Sequence, residues 1–483
     1  MGYKTIFRRE QKMFEKFFKL KENNTTVGTE VVAGLSTFMT MAYIIALNPN
    51  LLTGFGANGQ ELWNAVFMAT VISAAVGTLL MGILANKPFA LAPGMGLNSY
   101  FATVVAQIAA AAGISYVEGF RAGLVIILIS GILFTILTIF KVREKIVDAI
   151  PKAVRVGIPA GIGLMLVNVG FTSNAGLGQF ADYYMLNGFF GNGASVTKAT
   201  LGADYKMMVL YVITTFIGIF LMAVLSQKKV KGAVLIGMLG SSVVFFAGKA
   251  IIGINPFASL EGASFIPPFK DMFEVTFFKF NFENLFSIGV FSAIMTIVSF
   301  CMVDMFDTIG TLYGTAKRAN MIDEDGNMPN MQEAMLSDSI ATCVGACTGT
   351  STVTTFIESA SGVEAGGRTG LASIVTGLLF LACMFIAPIA ALIPPPATSA
   401  ALIFVGILMM GSLKEVDYTD YTQVVPVVLL LIFMLGTSGI GNGIGIGLIA
   451  YSVLKICTGK IKEVSWLTIL LSVLFIAKFF IIF

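Results

Sequence analysis

Apolar runs separated by short polar breaks fill almost the whole chain. Runs of helix-spanning length lie near 27–47, 63–85, 89–112, 122–140, 155–171, 207–225 and 233–252. A second set lies near 285–315, 334–349, 356–366, 369–392, 398–410, 422–435, 441–457 and 464–483. A membrane-crossing helix needs about 20 mostly apolar residues. In lipid only helices and closed barrels satisfy their own backbone. The pattern therefore predicts an all-α polytopic membrane protein.

Two runs depart from the pattern. The stretch FALAPGMGLNSYFA at 89–102 and the stretch GTSTVTTFIESASG at 349–362 are rich in Gly, Ser, Thr and Pro. Each is the third run of its set. Two runs further on, each set has an Ile-Pro start, Ile150-Pro151 and Ile393-Pro394. The chain is thus expected to be duplicated, and seven segments per half, an odd number, puts the second half in inverted topology. Matching interrupted segments in two halves point to a transporter's central site. The expected organisation is an amphipathic segment 1–26, a first repeat 27–252, an outer connection 253–284, a second repeat 285–457 and a tail 458–483. The run 464–483 exceeds seven plus seven and is left as a peripheral helix.

Composition sharpens this picture. Hydrophobic residues make up 56% and charged residues 12% of 483, where soluble domains carry about 25% charged. Mean hydropathy is +0.87. The basic residues cluster in the amino-terminal tail and after the fourth, sixth and eighth runs, at Lys141–Arg155, Lys228–Lys231 and Lys317–Arg318. By the positive-inside rule the amino terminus is cytoplasmic. The opening residues are basic and amphipathic, without a signal-peptide core, and predict an interfacial helix with Phe7, Phe14, Phe17 and Phe18 towards lipid. No nucleic-acid role is expected of them. Five cysteines, two of them Cys343 and Cys347 at helical spacing, read as packing residues rather than a metal pair. Histidine is absent, which removes His-based catalysis and His metal ligands. Neither a cofactor nor a metal is expected, and proton coupling would have to run through carboxylates.

Three polar groups of residues lie at membrane depth. In APGMGLN (92–98), Pro93, Gly94 and Gly96 favour an extended stretch leading into a helix near Leu97. Asn98 there is open to two readings, ligand or helix cap. In FCMVDMFDTIGT (300–311), Asp304 and Asp307 are three apart and share a helix face. Burying both is costly unless each has a partner or a proton, which suits proton-coupled transport. Asp307 is equally readable as a cap for broken-helix amides. In the third group, Thr348–Thr355 favours an extended pass and the helix restarts near Phe356. Glu358 then sits in its first turn, facing the counterpart half-helix. Glu364 and Arg368 read as a structural i,i+4 pair, and Asp338 as a cap or gate contact near the cytoplasmic side.

These pieces resemble the AzgA-like purine permeases, nucleobase–cation symporters with the uracil-permease fold. The resemblance rests on GLSTFMTMAYIIALNP at 34–49, APGMGLNSYF at 92–101 and VDMFDTIGT at 303–311. It continues through GTSTVTTFIESASGVEAGGRTG at 349–370 and GKIKEV at 459–464, in order over nearly the whole chain. It implies fourteen helices, a core domain that holds substrate and a gate domain against which it moves. It also implies that Asp304 and Glu358 bind a purine, that Asn98 assists, and that Asp307 supports coupling or local structure. A homodimer is what the family suggests.

The chemistry of an oxopurine agrees. Carboxylates on two facing segments accept its N–H groups, while backbone amides near Gly96, Thr355 and Phe356 meet its acceptors. A base with the wrong edge would leave buried groups unpaired. The expectation is a multi-pass plasma-membrane importer of hypoxanthine and guanine, driven by protons with sodium as the alternative ion. Adenine is the rival substrate. An anion exchanger of similar architecture is the rival class, disfavoured because two carboxylates repel an anion.

Overall fold

The computed structural model describes residues 15, 17–141, 150–172, 190–191, 193–260, 264–319, 321–323, 328–437 and 439–480. Among them the helices are α1 (Val27–Met41), α2 (Ile44–Leu52), α3 (Gln60–Leu80), α4 (Met95–Ala112), α5 (Tyr116–Ile139), α6 (Lys152–Phe171), α7 (Ala194–Leu201), α8 (Tyr205–Gln227), α9 (Ala233–Ile251) and α10 (Phe269–Val275). They continue with α11 (Val290–Arg318), α12 (Met331–Thr348), α13 (Ala360–Glu364), α14 (Gly370–Ala382), α15 (Ala387–Ala391), α16 (Pro395–Met409), α17 (Tyr421–Thr437), α18 (Ile440–Cys457) and α19 (Trp466–Phe480). Eleven helical stretches among the described residues are long and apolar enough to cross a membrane. The buried helix α12, the broken segment at 353–364 and the apolar α17 bring the crossings to the expected fourteen, with α19 beyond them.

Among the described residues two strands interrupt the helices. β1 (Leu91–Pro93) and β2 (Val353–Thr355) pair antiparallel, with Leu91 opposite Thr355 and Pro93 opposite Val353. Each leads directly into helix, β1 into α4 and β2 into a 3-10 turn (Ile357–Ser359) followed by α13. Extended backbone at this depth would leave amides unpaired in lipid. The strands satisfy each other, and Phe356 N–H and Gly94 N–H extend the pairing to Ala90 and Thr352. All six strand residues are buried.

The helices gather into two packed groups. One holds α1, α3, α4, α5, α11, α12 and α14, wrapped around the two strands; the other holds α6, α8, α9, α16, α17 and α18. The groups meet chiefly where α4 lies on α6 and α11 on α18. This is the core and gate division the sequence led one to expect. Close approach is set by small residues: a Cβ on Gly82 would meet the Gly370 carbonyl at 2.6 Å, and one on Gly163 the Gly406 carbonyl at 2.4 Å.

Two sequence expectations change. Phe18 does not face lipid; it is buried against Leu20 and Leu371 while Phe17 is exposed, and Phe7 and Phe14 lie outside the described residues. Arg368 does not pair with Glu364, because its guanidinium donates to the carbonyls of Val363 and Gly367 at the end of α13. The buried Glu30 of α1 takes the backbone N–H groups of Arg368, Thr369 and Ala372, and so caps α14 from another helix. The connection 253–284 is tied to the helices. Asp271 of α10 accepts from Asn64 at 2.6 Å, and Arg121 of α5 donates to the Val275 carbonyl at 2.9 Å.

Candidate functional site

The broken segments place their polar residues against α1, α11 and α12. Glu358 lies in the 3-10 turn after β2, partly exposed. The first membrane helix is itself interrupted between α1 and α2, and Tyr43 sits at that break, fully buried. Its hydroxyl donates to Glu358 Oε1 at 2.8 Å. Thr40, one turn earlier, pairs with the Ser361 hydroxyl at 2.9 Å and anchors the turn to α1.

Asp304 repeats the arrangement on α11. It is fully buried; one oxygen accepts from Thr342 at 3.1 Å and the other, Oδ1, has no partner. Thr342 accepts the Val353 N–H at 3.1 Å and shares its single hydroxyl proton between Asp304 and the Val353 carbonyl, also at 3.1 Å, so Asp304 is tied through it to β2. Asp307, a turn along, is partly exposed, accepts from Thr354 at 3.3 Å, and lies beside Gly94.

Asp338 is placed differently from its sequence reading. It is neither a cap nor a gate contact: in the middle of α12 its carboxylate accepts from Thr308 of α11 and from Thr355 of β2, the latter at 2.8 Å. Three aspartates on two helices thus hold three successive residues of β2. Threonine at 354 and 355 supplies both the β-branched backbone preference and the hydroxyl that each aspartate needs.

Asn98 does not cap α4; Gly94 occupies that position without a side-chain bond. Nor does Asn98 face Glu358. Its amide donates to Asn48 at 2.5 Å, its carbonyl oxygen accepts from Ser351, and Asn48 goes on to Thr70 at 2.7 Å and Thr350 at 2.9 Å. The side chain is fully buried in this network, which stitches α2 and α3 to the loop before β2. Of the backbone positions singled out, Gly96 meets the second helix group, for a Cβ there would lie 2.1 Å from Ile162 Cγ2 of α6. Thr355 and Phe356 are buried on and just after β2, and the Phe356 N–H is not open to a ligand, because the strand pairing gives it to the Ala90 carbonyl at 2.9 Å. Phe300 is fully buried and stacks on Tyr100 at 4.6 Å.

Tyr43 and Asn48 escaped the sequence reading, since an aromatic and an amide inside an apolar helix look like packing. The signal available was a lone tyrosine in an otherwise apolar run, followed five residues later by Asn48 and Pro49.

Two half-helices meeting end to end, with carboxylates at their junction and a second helix group packed across them, define a membrane transporter of the broken-helix kind. The sequence comparisons agree: the Permease family (Xan_ur_permease) matches residues 28–446, and the chain belongs to that family. It is 37% identical to the adenine permease AdeP of Escherichia coli, over 97% of this chain and 96% of that one. It is also 37% identical to the guanine/hypoxanthine permease PbuO of Bacillus subtilis, over 96% of this chain and all of that one. Among solved structures, the transmembrane domain of a cyanobacterial bicarbonate transporter, BicA, superposes with a TM-score of 0.60 at 15% identity, covering 87% of this chain and 96% of that chain. At that identity the likeness shows the fold alone. The chain is a multi-pass membrane permease, not an enzyme.

Proposed function

We propose that this permease is a secondary active transporter importing purine nucleobases, hypoxanthine and guanine, across the plasma membrane together with a proton. The observation that carries the reading is shared by Glu358 and Asp304. Each has one oxygen held by a protein hydroxyl, Tyr43 or Thr342, and the second oxygen of the buried Asp304 has no partner among the described residues. A pair of oriented carboxylates on two segments suits two N–H groups of one planar base. The N–H groups in the first turn of α4, which a helix leaves without internal carbonyl partners, suit its carbonyl edge. The curated relatives, named as adenine or guanine/hypoxanthine permeases over nearly their whole length, support the substrate class.

In this reading Asp304 and Glu358 hold the base. Asn98 positions the broken stretch from behind, and Asp307, partly exposed beside the strands, carries the coupling proton. The first helix group moves past the second with the base on board; the amino terminus is cytoplasmic, and the dimer is carried over from the family resemblance. Adenine is the second reading, favoured by AdeP standing at the same identity as PbuO. Uptake of labelled hypoxanthine, guanine and adenine by cells lacking their own purine permeases separates them, and accumulation of none of the three sinks the proposal. Collapse of the proton gradient should abolish accumulation. Accumulation that survives collapse and follows a sodium gradient would replace the proton with sodium.

A further inference from the structure

A second cleft lies away from the broken helices, at the end of the seam between the two helix groups. It has a volume of about 290 Å³ and is bounded by the start of α3, the start of α8, the end of α9 and the turn at 391–395. Trp63, Tyr211 and Phe246 supply aromatic wall, Asn50, Gln60 and Lys249 the polar groups. Gln60 at the mouth is exposed, while Tyr211 is buried.

Two of the polar groups, Asn50 and Lys249, present donors, whereas Gln60 gives its amide N–H to Asn64 Oδ1 at 2.9 Å. The Trp63 indole N–H donates to Asn50 Oδ1 at 2.7 Å. That bond occupies the amide's acceptor and leaves its NH2 group without a partner among the described residues. Lys249 lies with its ammonium 5.2 Å from the Phe245 ring centroid and has no acceptor among the described residues. A lysine near a membrane surface often only extends its charge to water. Here, however, the ammonium borders an aromatic-walled cleft with a second unpaired donor in it.

The volume lies at the lower end of small-molecule sites, which run from about 300 to 1,000 Å³, and suits a single planar ring system rather than a lipid headgroup with its chains. We propose that the cleft is a second binding site for a nucleobase, holding the acceptor-bearing edge of the ring between aromatic walls. The proposal rests on the purine reading above and extends it. The central carboxylates take the N–H edge of the base, and this cleft takes the opposite one. Because its walls come from both helix groups, a base held here also bridges the parts that move against each other.

The chain has two tryptophans, Trp63 and Trp466, and Trp466 is 74% exposed on α19. Trp466→Phe therefore leaves one fluorophore, in the cleft. The full-length variant in nanodiscs is titrated with hypoxanthine, guanine and adenine, excited at the red edge where purines do not absorb. Saturable quenching is expected, and it should persist when Glu358→Gln is added. Lys249→Met should weaken it about tenfold, the loss of one hydrogen bond from a charged donor, in protein that stays monodisperse. Labelled base binding to the Trp466→Phe protein is measured in parallel. Central binding without quenching overturns the cleft and leaves the purine reading standing, whereas neither signal overturns both. Quenching abolished by Glu358→Gln, or produced only by anionic phospholipid in the nanodisc, also overturns the proposal.

Discussion

Tyr43 donates its hydroxyl to Glu358 across 2.8 Å, joining the break in the first membrane helix to the turn that follows β2. The bond fixes one carboxylate oxygen and so aims the other. In Tyr43→Phe the ring still fills its buried place but the carboxylate is free to rotate. A hydrogen bond to a charged group contributes about 1.5–3 kcal/mol, so KM for the preferred base should rise tenfold or more with little change in maximal rate. Uptake kinetics at matched surface expression measure this. An unchanged KM would show that Glu358 is oriented without Tyr43.

Asp338 serves the strand rather than the substrate. Its carboxylate is the acceptor for Thr308 and Thr355, and removing it leaves two buried hydroxyls unpaired. Asp338→Ala should destabilise the protein by about 2–4 kcal/mol, read as thermal unfolding in detergent. Adding Thr355→Val should recover part of the loss, since an apolar pair avoids an unpaired donor. Loss of uptake with undiminished thermal stability would instead give Asp338 a direct transport role.

How far the sequence could be read follows from what each signal depends on. The crossings were legible because hydropathy is local, and the paired interruptions because Pro93, Gly94 and the Thr-rich run break a helix wherever they occur. The partners were not. Nothing at Asn98 tells that its amide meets Asn48 and Ser351, fifty and more residues away, instead of capping its own helix. Arg368 likewise satisfies nearby carbonyls, where i,i+4 spacing suggested Glu364. Spacing reports which groups share a face, and tertiary packing decides what that face meets.

Gly96 and Ile162 form a tight contact between the two helix groups. A Cβ at 96 would lie 2.1 Å from Ile162 Cγ2 and 3.3 Å from its Cβ, so the side chain or the helix must shift. Overpacking of this kind costs about 1–3 kcal/mol, here charged to the packing of α4 on α6. Gly96→Ala should reach the membrane and lose most of its uptake, and Ile162→Ala in the same chain should restore it. Failure of the second change to rescue would place the defect in the strand region itself.

The pH dependence of uptake separates the buried carboxylates from those at the surface. Asp420, before α17, is held down to about 2, first by the Thr422 hydroxyl and then by Gln423. A carboxylate whose folded value is depressed adds stability that is complete above its unfolded value and is lost only as the pH falls through about 2. Asp420 therefore stays ionised between about pH 5 and 8, the span in which physiological switching occurs, and Asp420→Asn should leave the uptake profile over that span unchanged in shape. Asp307 is the opposite case: it lies at the strands, half-open, with a single hydroxyl partner. If it carries the coupling proton, Asp307→Asn should exchange base down its gradient yet fail to concentrate it, with a flat pH profile. Counterflow and net accumulation measured on the same reconstituted vesicles distinguish the two functions. Accumulation that keeps its pH dependence in Asp307→Asn would move the proton to Asp304 or Glu358.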